Sequence, residues 1–166
     1  MRIVVQLVKQ ASVSVDEKVI SEIKKGYLIL LGIETEDTQE DINWLASKIA
    51  RLRIFGDEDG AMNKSILDVN GDVIIVSQFT LQAKTKKGNR PSYIKAARPE
   101  IASVLYNKFI LQLENEIDSE VILAYKEAVK HGDLANGPYP SSDTIFTEVY
   151  ETVPWHIQEQ REELGK

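Results

Sequence analysis

Polar side chains that could hold a carbonyl substrate follow an apolar run near the middle of the chain. Residues 73–76 are Val-Ile-Ile-Val, a run typical of a strand that is buried on both faces. Ser77, Gln78 and Thr80 follow this run, and each of these side chains can donate and accept hydrogen bonds. Ligand sites of sheet proteins often lie where a strand ends, and backbone N–H groups there can polarise a carbonyl. The segment therefore predicts a ligand site, with a strand that merely ends in polar residues as the alternative.

A cationic strip follows this segment. Residues 84–98 contain no Asp or Glu but carry six basic side chains: Lys84, Lys86, Lys87, Arg90, Lys95 and Arg98. Because the whole chain has a formal net charge of -6, this local positive charge indicates a phosphate-bearing partner. Tyr93 lies within the strip and could stack on a base. The alternative is a solvated loop whose charge offsets acidic residues elsewhere.

The composition excludes several other kinds of site. The chain of 166 residues has no cysteine, which rules out disulfides, thiolate-bound zinc, iron–sulfur clusters and a cysteine nucleophile. His131 and His156 lie far apart and in no metal-ligand spacing, so we expect no metal site. No apolar run reaches the roughly 20 residues of a membrane span, and we expect no signal peptide. The excess of acidic over basic residues argues against a protein that binds nucleic acid with its whole surface.

Several strands and helices must position these residues. Alternating apolar residues at positions 3, 5 and 7, followed by Val13 and Val15 after a polar break, predict a first strand, and residues 27–31 predict a buried one. Thr38 is placed to cap a helix whose apolar stripe is Ile42, Leu45, Ala46, Ile49 and Leu52. Pro99 can begin a second helix, whose apolar positions are Ile101, Val104, Leu105, Phe109 and Leu113. This combination of strands and helices predicts a single α/β or α+β domain over residues 1–166, with a mixed sheet.

Weaker signals cover the connections and the C-terminal part of the chain. Asn70-Gly71 predicts a hairpin, and residues 56–60 predict a solvated turn rather than a calcium loop. We expect residues 118–130 to be weakly helical and residues 131–142 to form a loop. Residues 144–150 could be a last strand, and residues 154–164 a short charged helix.

Three short motifs resemble those of the D-aminoacyl-tRNA deacylases. They are Ser-Gln-Phe-Thr-Leu at 77–81, Lys-Lys-Gly-Asn-Arg-Pro-Ser at 86–92 and Met-Asn-Lys at 62–64, and residues 1–6 and 11–15 fit as well. The resemblance covers residues 1–115 and implies a two-layer mixed sheet curled toward a barrel, with two or three helices. It also implies a cytoplasmic homodimer, not bound to membranes and using no metal or cofactor. Such an enzyme hydrolyses the ester that joins a D-amino acid to the terminal adenosine of aminoacyl-tRNA.

The resemblance also implies which residues act on the ester. Ser77, Gln78, Phe79 and Thr80 are implied to be catalytic, with the backbone N–H groups of Phe79 and Thr80 holding the ester carbonyl. Gln78 and Ser77 would fix the adenosine or the carbonyl. Thr80 could instead be a nucleophile, and the 2′-OH of the tRNA could activate water.

Two further groups of residues are assigned by the resemblance. Leu81, Gly137 and Pro138 would bind the amino acid and select its chirality, with Gly137-Pro138 reaching across a dimer interface through a cis peptide bond. The side chains implied to bind tRNA phosphates are Lys84, Lys86, Lys87 and Arg90.

The chain departs from the family pattern from about residue 117 onward. Residues 135–140 read Ala-Asn-Gly-Pro-Tyr-Pro, so that Gly137-Pro138 matches the family but Pro140 replaces its threonine. This short sequence is more similar to that of a sister group of deacylases, which removes mischarged L-alanine from tRNA. Two alternatives therefore remain: a deacylase of the same fold acting on L-alanyl- or glycyl-tRNA, and a catalytically silent tRNA-binding homodimer.

Overall fold

A mixed four-stranded sheet lies at the centre of the computed structural model, which describes residues 1–15, 18–86, 88–117 and 121–123. The elements in chain order are β1 (Arg2–Val8), β2 (Ala11–Val15), β3 (Lys18–Ile23), β4 (Gly26–Gly32), α1 (Gln39–Ala50), β5 (Phe55–Gly56), β6 (Met62–Lys64), α2 (Ile66–Val69), β7 (Asp72–Ser77), a 3₁₀ turn (Phe79–Gln82), α3 (Pro99–Ile117) and β8 (Val121–Leu123). The strand order of the central sheet is β1-β4-β7-β8. The pairs β2–β3 and β5–β6 form two separate antiparallel ribbons.

Strand β4 takes an inner position in this sheet because it is apolar along almost its whole length. All of its residues are buried except Leu30, which is partly buried. It pairs antiparallel with β1, where Arg2 lies opposite Gly32. It pairs in parallel with β7, where Leu31 lies opposite Ser77. The carboxyl ends of β4 and β7 therefore lie side by side, and the chain leaves β7 at that edge.

The two faces of the sheet are covered by different elements. One face carries Tyr27, Ile29 and Leu31 and packs against the buried stripes of α1 and α3. The other face carries Leu28, Ile74 and Val76, which pack against apolar residues of the β2–β3 ribbon. The predicted α/β class and mixed sheet are confirmed, and within the residues that the structure describes the sheet is not a closed barrel.

Both long helices begin where the sequence predicts, but α3 buries only part of the predicted stripe. Ile101 and Val104, predicted to be on its apolar side, are 40% and 53% exposed. Phe109 and Leu113 are buried as predicted, and Leu105 is partly buried against the core. The other buried residues of the helix are Ala102, Tyr106, Ile110 and Ile117. Apolar residues surround much of this helix, so their spacing does not decide which face packs. The Tyr106 hydroxyl, which donates to the Ile75 backbone oxygen at 2.7 Å, helps to fix the face.

The hairpin predicted at Asn70-Gly71 is wrong. Asn70 has a φ of 47° and ends helix α2, which connects to β7. An Asn in the left-handed region suits a helix C-terminus as well as a hairpin turn, so the dipeptide alone does not distinguish the two. The turn predicted at residues 56–60 is confirmed: it joins β5 to β6, with Gly60 at a φ of 80°.

The weak helix predicted over residues 118–130 is also wrong in its described part. Residues Val121–Leu123 form β8, which pairs in parallel with β7. A Val-Ile-Leu run suits a sheet, and pairing with a buried strand outweighs a weak helical periodicity. The features expected beyond residue 123, including His131, His156, the last strand and the last helix, lie outside the described residues. Among those that are described, no helix is long and apolar enough to cross a membrane.

Candidate active site

The polar residues that end β7 form a short turn against the end of β4. We call residues 77–82 the site turn; its side chains are half-buried up to Leu81, and that of Gln82 is buried. The backbone N–H of Gln78 donates to the Leu31 oxygen at 2.8 Å, which continues the β4–β7 pairing by one more bond. The chain then enters the 3₁₀ turn, within which the Leu81 N–H donates to the Gln78 oxygen. The predicted residues 77–81 are thus brought together at one edge of the sheet.

The side chains of Gln78 and Thr80 contact each other directly. The Gln78 amide Nε2 donates a hydrogen bond to Thr80 Oγ1. Since the hydroxyl oxygen accepts this bond, its own proton remains available to donate elsewhere. An amide group is not a base at neutral pH, so this contact does not remove the hydroxyl proton. The pair is therefore arranged as a hydrogen-bond donor rather than as an activated nucleophile.

The site turn packs on Gly32 at the end of β4. A Cβ atom at position 32 would lie 2.9 Å from the Leu81 Cβ and 3.0 Å from the Gln78 oxygen. Gln82 Nε2 donates to the Gly32 oxygen at 2.9 Å, while Arg2 Nη1 donates to the Leu81 oxygen. The sequence interpretation missed Gly32 and Gln82. A glycine that ends a buried strand marks a close backbone approach, and this signal could have identified Gly32.

The cationic strip forms a loop that is closed at its base. The backbone groups of Lys84 and Ser92 exchange two hydrogen bonds, of 2.8 and 3.1 Å. Gly88, at a φ of 75°, lies within the loop. Lys84, Lys86 and Arg90 are all exposed, while Lys87 lies outside the described residues. We call residues 84–92 the basic loop. Its exposed side chains Lys84, Lys86 and Arg90 can contact a large anionic partner.

Aromatic contact joins the basic loop to the site turn. The rings of Phe79 and Tyr93 meet edge to face, with their centroids 5.1 Å apart and their planes at 66°. Such a geometry is favoured between aromatic rings. Because Phe79 belongs to the site turn and Tyr93 directly follows the basic loop, this pair helps to hold the two segments together.

The end of β4 also holds the chain that leaves the basic loop. Ile33, directly after β4, accepts a hydrogen bond from the Ala97 N–H at 2.9 Å. The Thr35 N–H donates to the Lys95 oxygen at 3.2 Å, and the Lys95 ammonium lies 3.4 Å from the Glu34 carboxylate. Lys95, one of the six basic residues of the strip, is therefore paired with a carboxylate of the protein. The backbone carbonyls of three consecutive residues, 31, 32 and 33, thus anchor both the site turn and the chain that follows the basic loop.

The Met-Asn-Lys motif lies in the β5–β6 ribbon, where it forms an internal polar network. Asn63 receives hydrogen bonds from Arg53 and donates one to Asp57 at 3.1 Å. Burial acts to raise the pKa of Asp57, but hydrogen bonds from the Ala61 N–H and Asn63 outweigh it and lower that pKa. The Glu58 carboxylate raises the pKa of Lys64. These contacts indicate a structural role for the motif.

Other predicted site features concern metals and the C-terminal part. Among the residues that the structure describes, no group of three or more His, Asp or Glu side chains could hold a metal ion. Gly137 and Pro138, predicted to select the chirality of the substrate, lie outside the described residues. Their cis peptide bond and their place in a dimer interface stay predictions.

Comparison with known proteins identifies relatives of the chain. Residues 4–139 match the sequence family described as D-Tyr-tRNA(Tyr) deacylase. A D-aminoacyl-tRNA deacylase of Flavobacterium psychrophilum is 61% identical over 121 residues, which cover 73% of this chain and 81% of the relative. The D-aminoacyl-tRNA deacylase of Bacteroides thetaiotaomicron is 58% identical over the same shares of the two chains.

Two solved structures resemble this chain in fold. A c-Myc DNA unwinding element binding protein is 44% identical, with a TM-score of 0.66 over 69% of this chain and 77% of that chain. A probable eukaryotic D-amino acid tRNA deacylase shares the fold, with a TM-score of 0.61 and 17% identity over 71% of this chain and 69% of that chain. The family match spans most of the chain, and it includes the site turn and the basic loop. The chain therefore belongs to the D-Tyr-tRNA(Tyr) deacylase family.

Proposed function

We propose that the chain hydrolyses the ester bond of D-aminoacyl-tRNA at the site turn, which releases free D-amino acid and tRNA. Family membership and the names of the relatives support this activity. The observation that carries the assignment to the site turn is the Gln78–Thr80 hydrogen bond at the end of β7. It leaves a hydroxyl donor beside a strand end, where an ester carbonyl can be bound.

The chemistry needs positioning more than activation. An aminoacyl ester is a reactive acyl donor, so water can attack its carbonyl carbon if the ester is held and the developing oxyanion is stabilised. The Thr80 hydroxyl and the backbone N–H groups of Phe79 and Thr80 are proposed to bind that oxygen. Ser77 and the Gln78 side chain would hold the adenosine. The ester bond to the ribose then breaks, and the ribose oxygen leaves with a proton from the attacking water.

The tRNA itself is proposed to carry the proton from the attacking water to the ribose oxygen that leaves. Its 2′-OH lies next to the ester in the substrate and can relay a proton. The rival, in which Thr80 attacks the ester, needs a base on the Thr80 hydroxyl. The partner that the structure gives to Thr80 Oγ1 is an amide donor, and this favours the first route.

The basic loop is proposed to bind the phosphates of the tRNA acceptor end. Lys84, Lys86 and Arg90 are exposed there, and Lys87 belongs to the same stretch of sequence. The edge-to-face contact of Phe79 with Tyr93 connects this loop to the site turn. A tRNA held by the loop would therefore place its terminal ester near Gln78 and Thr80.

Chiral selection is proposed to come from a homodimer. In this arrangement Gly137-Pro138, in the cis form, would face the partner's Gln78 and the partner's Thr80, while Leu81 would line the amino-acid pocket. Rigid backbone facing the substrate Cα would exclude an L side chain by overlap and leave a D side chain pointing to solvent. A crystal structure with a trans bond, or with the loop away from the site turn, would overturn this part of the proposal.

A substrate panel tests the activity. Release of labelled amino acid is measured from D-tyrosyl-, L-alanyl- and glycyl-tRNA, and we expect the fastest release from D-tyrosyl-tRNA. Preferential release of L-alanine or glycine would favour the sister-group alternative. Binding of tRNA without any release would favour the silent tRNA-binding homodimer. A cytoplasmic location is proposed as well, because that is where aminoacyl-tRNA is used.

A further inference from the structure

We infer that Gln82 is a positioning residue for deacylation, which ties the end of the site turn to β4 and so fixes Gln78 and Thr80. This inference rests on the proposed function of the site turn. Gln82 is only 2% exposed, so it does not reach a substrate and must act through its neighbours.

The hydrogen bond of Gln82 determines how its amide is oriented. The Gly32 backbone oxygen can only accept, so the Nε2 end of the amide faces it, at 2.9 Å. The backbone of Gly32 also lies so close to the site turn that no side chain would fit between them, since a Cβ at position 32 would lie 2.9 Å from the Leu81 Cβ. The Gln82 amide thus joins two segments that are already in close contact.

Gln82 and Gln78 hold the two ends of the site turn. The Gln78 N–H is bonded to the Leu31 oxygen at 2.8 Å, and the Gln82 side chain is bonded to the next carbonyl of β4, that of Gly32. Phe79, Thr80 and Leu81 lie between these two anchors. With both anchors in place, the hydroxyl of Thr80 has a fixed position relative to the sheet. Without the second anchor, the turn is held to β4 by one fewer bond.

The other end of the Gln82 amide has an unusual environment. Its Oε1 atom is buried, and no donor among the described residues reaches it. A buried acceptor without a donor is unfavourable, and an apolar side chain of the same length would avoid that cost. Methionine would fill similar space but could not donate to Gly32. The glutamine is thus a poor choice for packing alone and a suitable one for holding the turn. Departures of this kind are expected at functional positions.

Single-turnover deacylation of D-tyrosyl-tRNA tests the inference. We expect Gln82→Met to lower the rate constant by about 10-fold or more, because a small displacement of reacting groups is costly. The enzyme concentration that gives half of the maximal single-turnover rate should stay within about twofold, since the basic loop is unchanged. Ile66→Val is the matched control: it shortens a buried side chain in α2, and its rate should stay at the wild-type value.

A double variant shows whether Gln82 acts through Gln78. If it does, Gln82→Met should slow a Gln78→Ala enzyme much less than it slows the wild type, because the two effects are not additive. Fully additive effects, or a wild-type rate in folded Gln82→Met, would overturn the inference. So would an Ile66→Val enzyme that loses as much activity at an equal drop in melting temperature.

A second substitution covers the case in which Gln82→Met does not fold. Gln82→Leu also fills part of this space but has no donor for the Gly32 oxygen, and the same reduction in rate is expected. A wild-type rate in folded Gln82→Leu would then overturn the inference. A wild-type rate in Gln78→Ala would instead overturn the proposed function of the site turn. An inactive Gln78→Ala with a normal Gln82→Met enzyme would overturn the role of Gln82 alone.

Discussion

The Thr80 hydroxyl accepts a hydrogen bond from the Gln78 amide, and this contact separates two possible roles for the residue. A nucleophilic hydroxyl needs a base to take its proton, whereas a donor needs its proton kept and aimed. The amide meets the second requirement, because it occupies the oxygen without removing the proton. At the scale of single residues, the Gln78–Thr80 pair thus offers a hydrogen-bond donor rather than an activated nucleophile.

Gln78→Ala should slow deacylation strongly while leaving the fold intact. The amide is half-buried and orients Thr80, and removal of one such polar interaction commonly raises the barrier by about 2.7–4 kcal/mol. Single-turnover rates on D-tyrosyl-tRNA measure the effect. Gln39→Ala, which removes an exposed amide from α1, is the control and should keep the wild-type rate. An unchanged rate in Gln78→Ala would remove this residue from the site.

Gly32→Ala should damage the site turn and Gly56→Ala should not. The added Cβ at position 32 would lie 3.0 Å from the Gln78 backbone oxygen, which cannot rotate away. We expect the free energy of unfolding to fall by about 1–3 kcal/mol and deacylation to slow. At Gly56 the nearest atoms are 3.9 Å from the added Cβ, so that variant is the control. Equal activity of the two variants would show that Gly32 does not set the position of the turn.

At the scale of elements, the proposed function places tRNA binding in the basic loop and ester chemistry at the site turn. Lys84, Lys86 and Arg90 are exposed, the base of the loop is closed by the two Lys84–Ser92 bonds, and Tyr93 anchors it on Phe79. A loop of this kind can change its charge without moving the site turn. Its contribution should therefore be visible in affinity and in the response to salt.

Replacing Lys86 and Arg90 with alanine should weaken tRNA binding and make it less sensitive to salt. For each phosphate that is no longer neutralised, the slope of log affinity against log salt should become shallower by about 0.7–0.9. Titrations at several salt concentrations measure this slope. A double variant of Lys24 and Lys48, two exposed lysines outside the loop, is the control. The prediction fails if the slope is unchanged while the rate for bound substrate drops.

The short helix α2 should be most stable above the ordinary pKa of an aspartate. The Ser65 N–H and hydroxyl each donate to Asp68 at 2.7 Å, and they lower the pKa of that carboxyl. A folded-state pKa below the unfolded value means that the stabilisation is present above the unfolded pKa of about 3.9. It is lost as the pH falls through the folded-state pKa.

Urea unfolding at neutral and acidic pH measures this effect. The difference in the free energy of unfolding between wild type and Asp68→Asn should be larger at neutral pH and should shrink in acid. Glu58→Gln, which changes an almost fully exposed carboxylate of the neighbouring ribbon, gives the comparison for a surface ion pair. A difference for Asp68→Asn that is independent of pH would show that its hydrogen bonds do not stabilise the charged form.

At the scale of the whole molecule, the sequence predicts local structure better than contacts between segments. The run at 27–31 identifies a buried strand, and Thr38 and Pro99 identify helix starts, because composition and local geometry set these features. The parallel pairing of Leu31 with Ser77 depends on the whole sheet, so no short motif reveals it. For the same reason the Ser-Gln-Phe-Thr-Leu motif identifies the site turn but not the bond from Gln82 to Gly32.

The wrong predictions, the hairpin at Asn70 and the buried face of α3, have a related cause. Asn70 favours left-handed backbone in a hairpin and at a helix end alike, and only the chain on either side decides between them. The apolar residues of α3 cover several faces, so the sheet, and not the spacing, chooses which of them are buried. In each case a short-range pattern permits two structures and a distant contact selects one.

The three carbonyls at the end of β4 also govern how long the site persists as the protein fluctuates. Residues 31, 32 and 33 accept hydrogen bonds from Gln78, Gln82 and Ala97, and β4 is paired along both of its edges. In native-state hydrogen exchange, the backbone N–H of Gln78 should therefore exchange as slowly as the backbone N–H groups of β4, because its exchange requires the sheet itself to open. Rapid exchange at Gln78 in the folded protein would contradict this. The residues of the site turn should then lose their positions only when the sheet unfolds. Mild denaturant would therefore reduce the number of folded, active molecules before it changed the activity of each folded molecule.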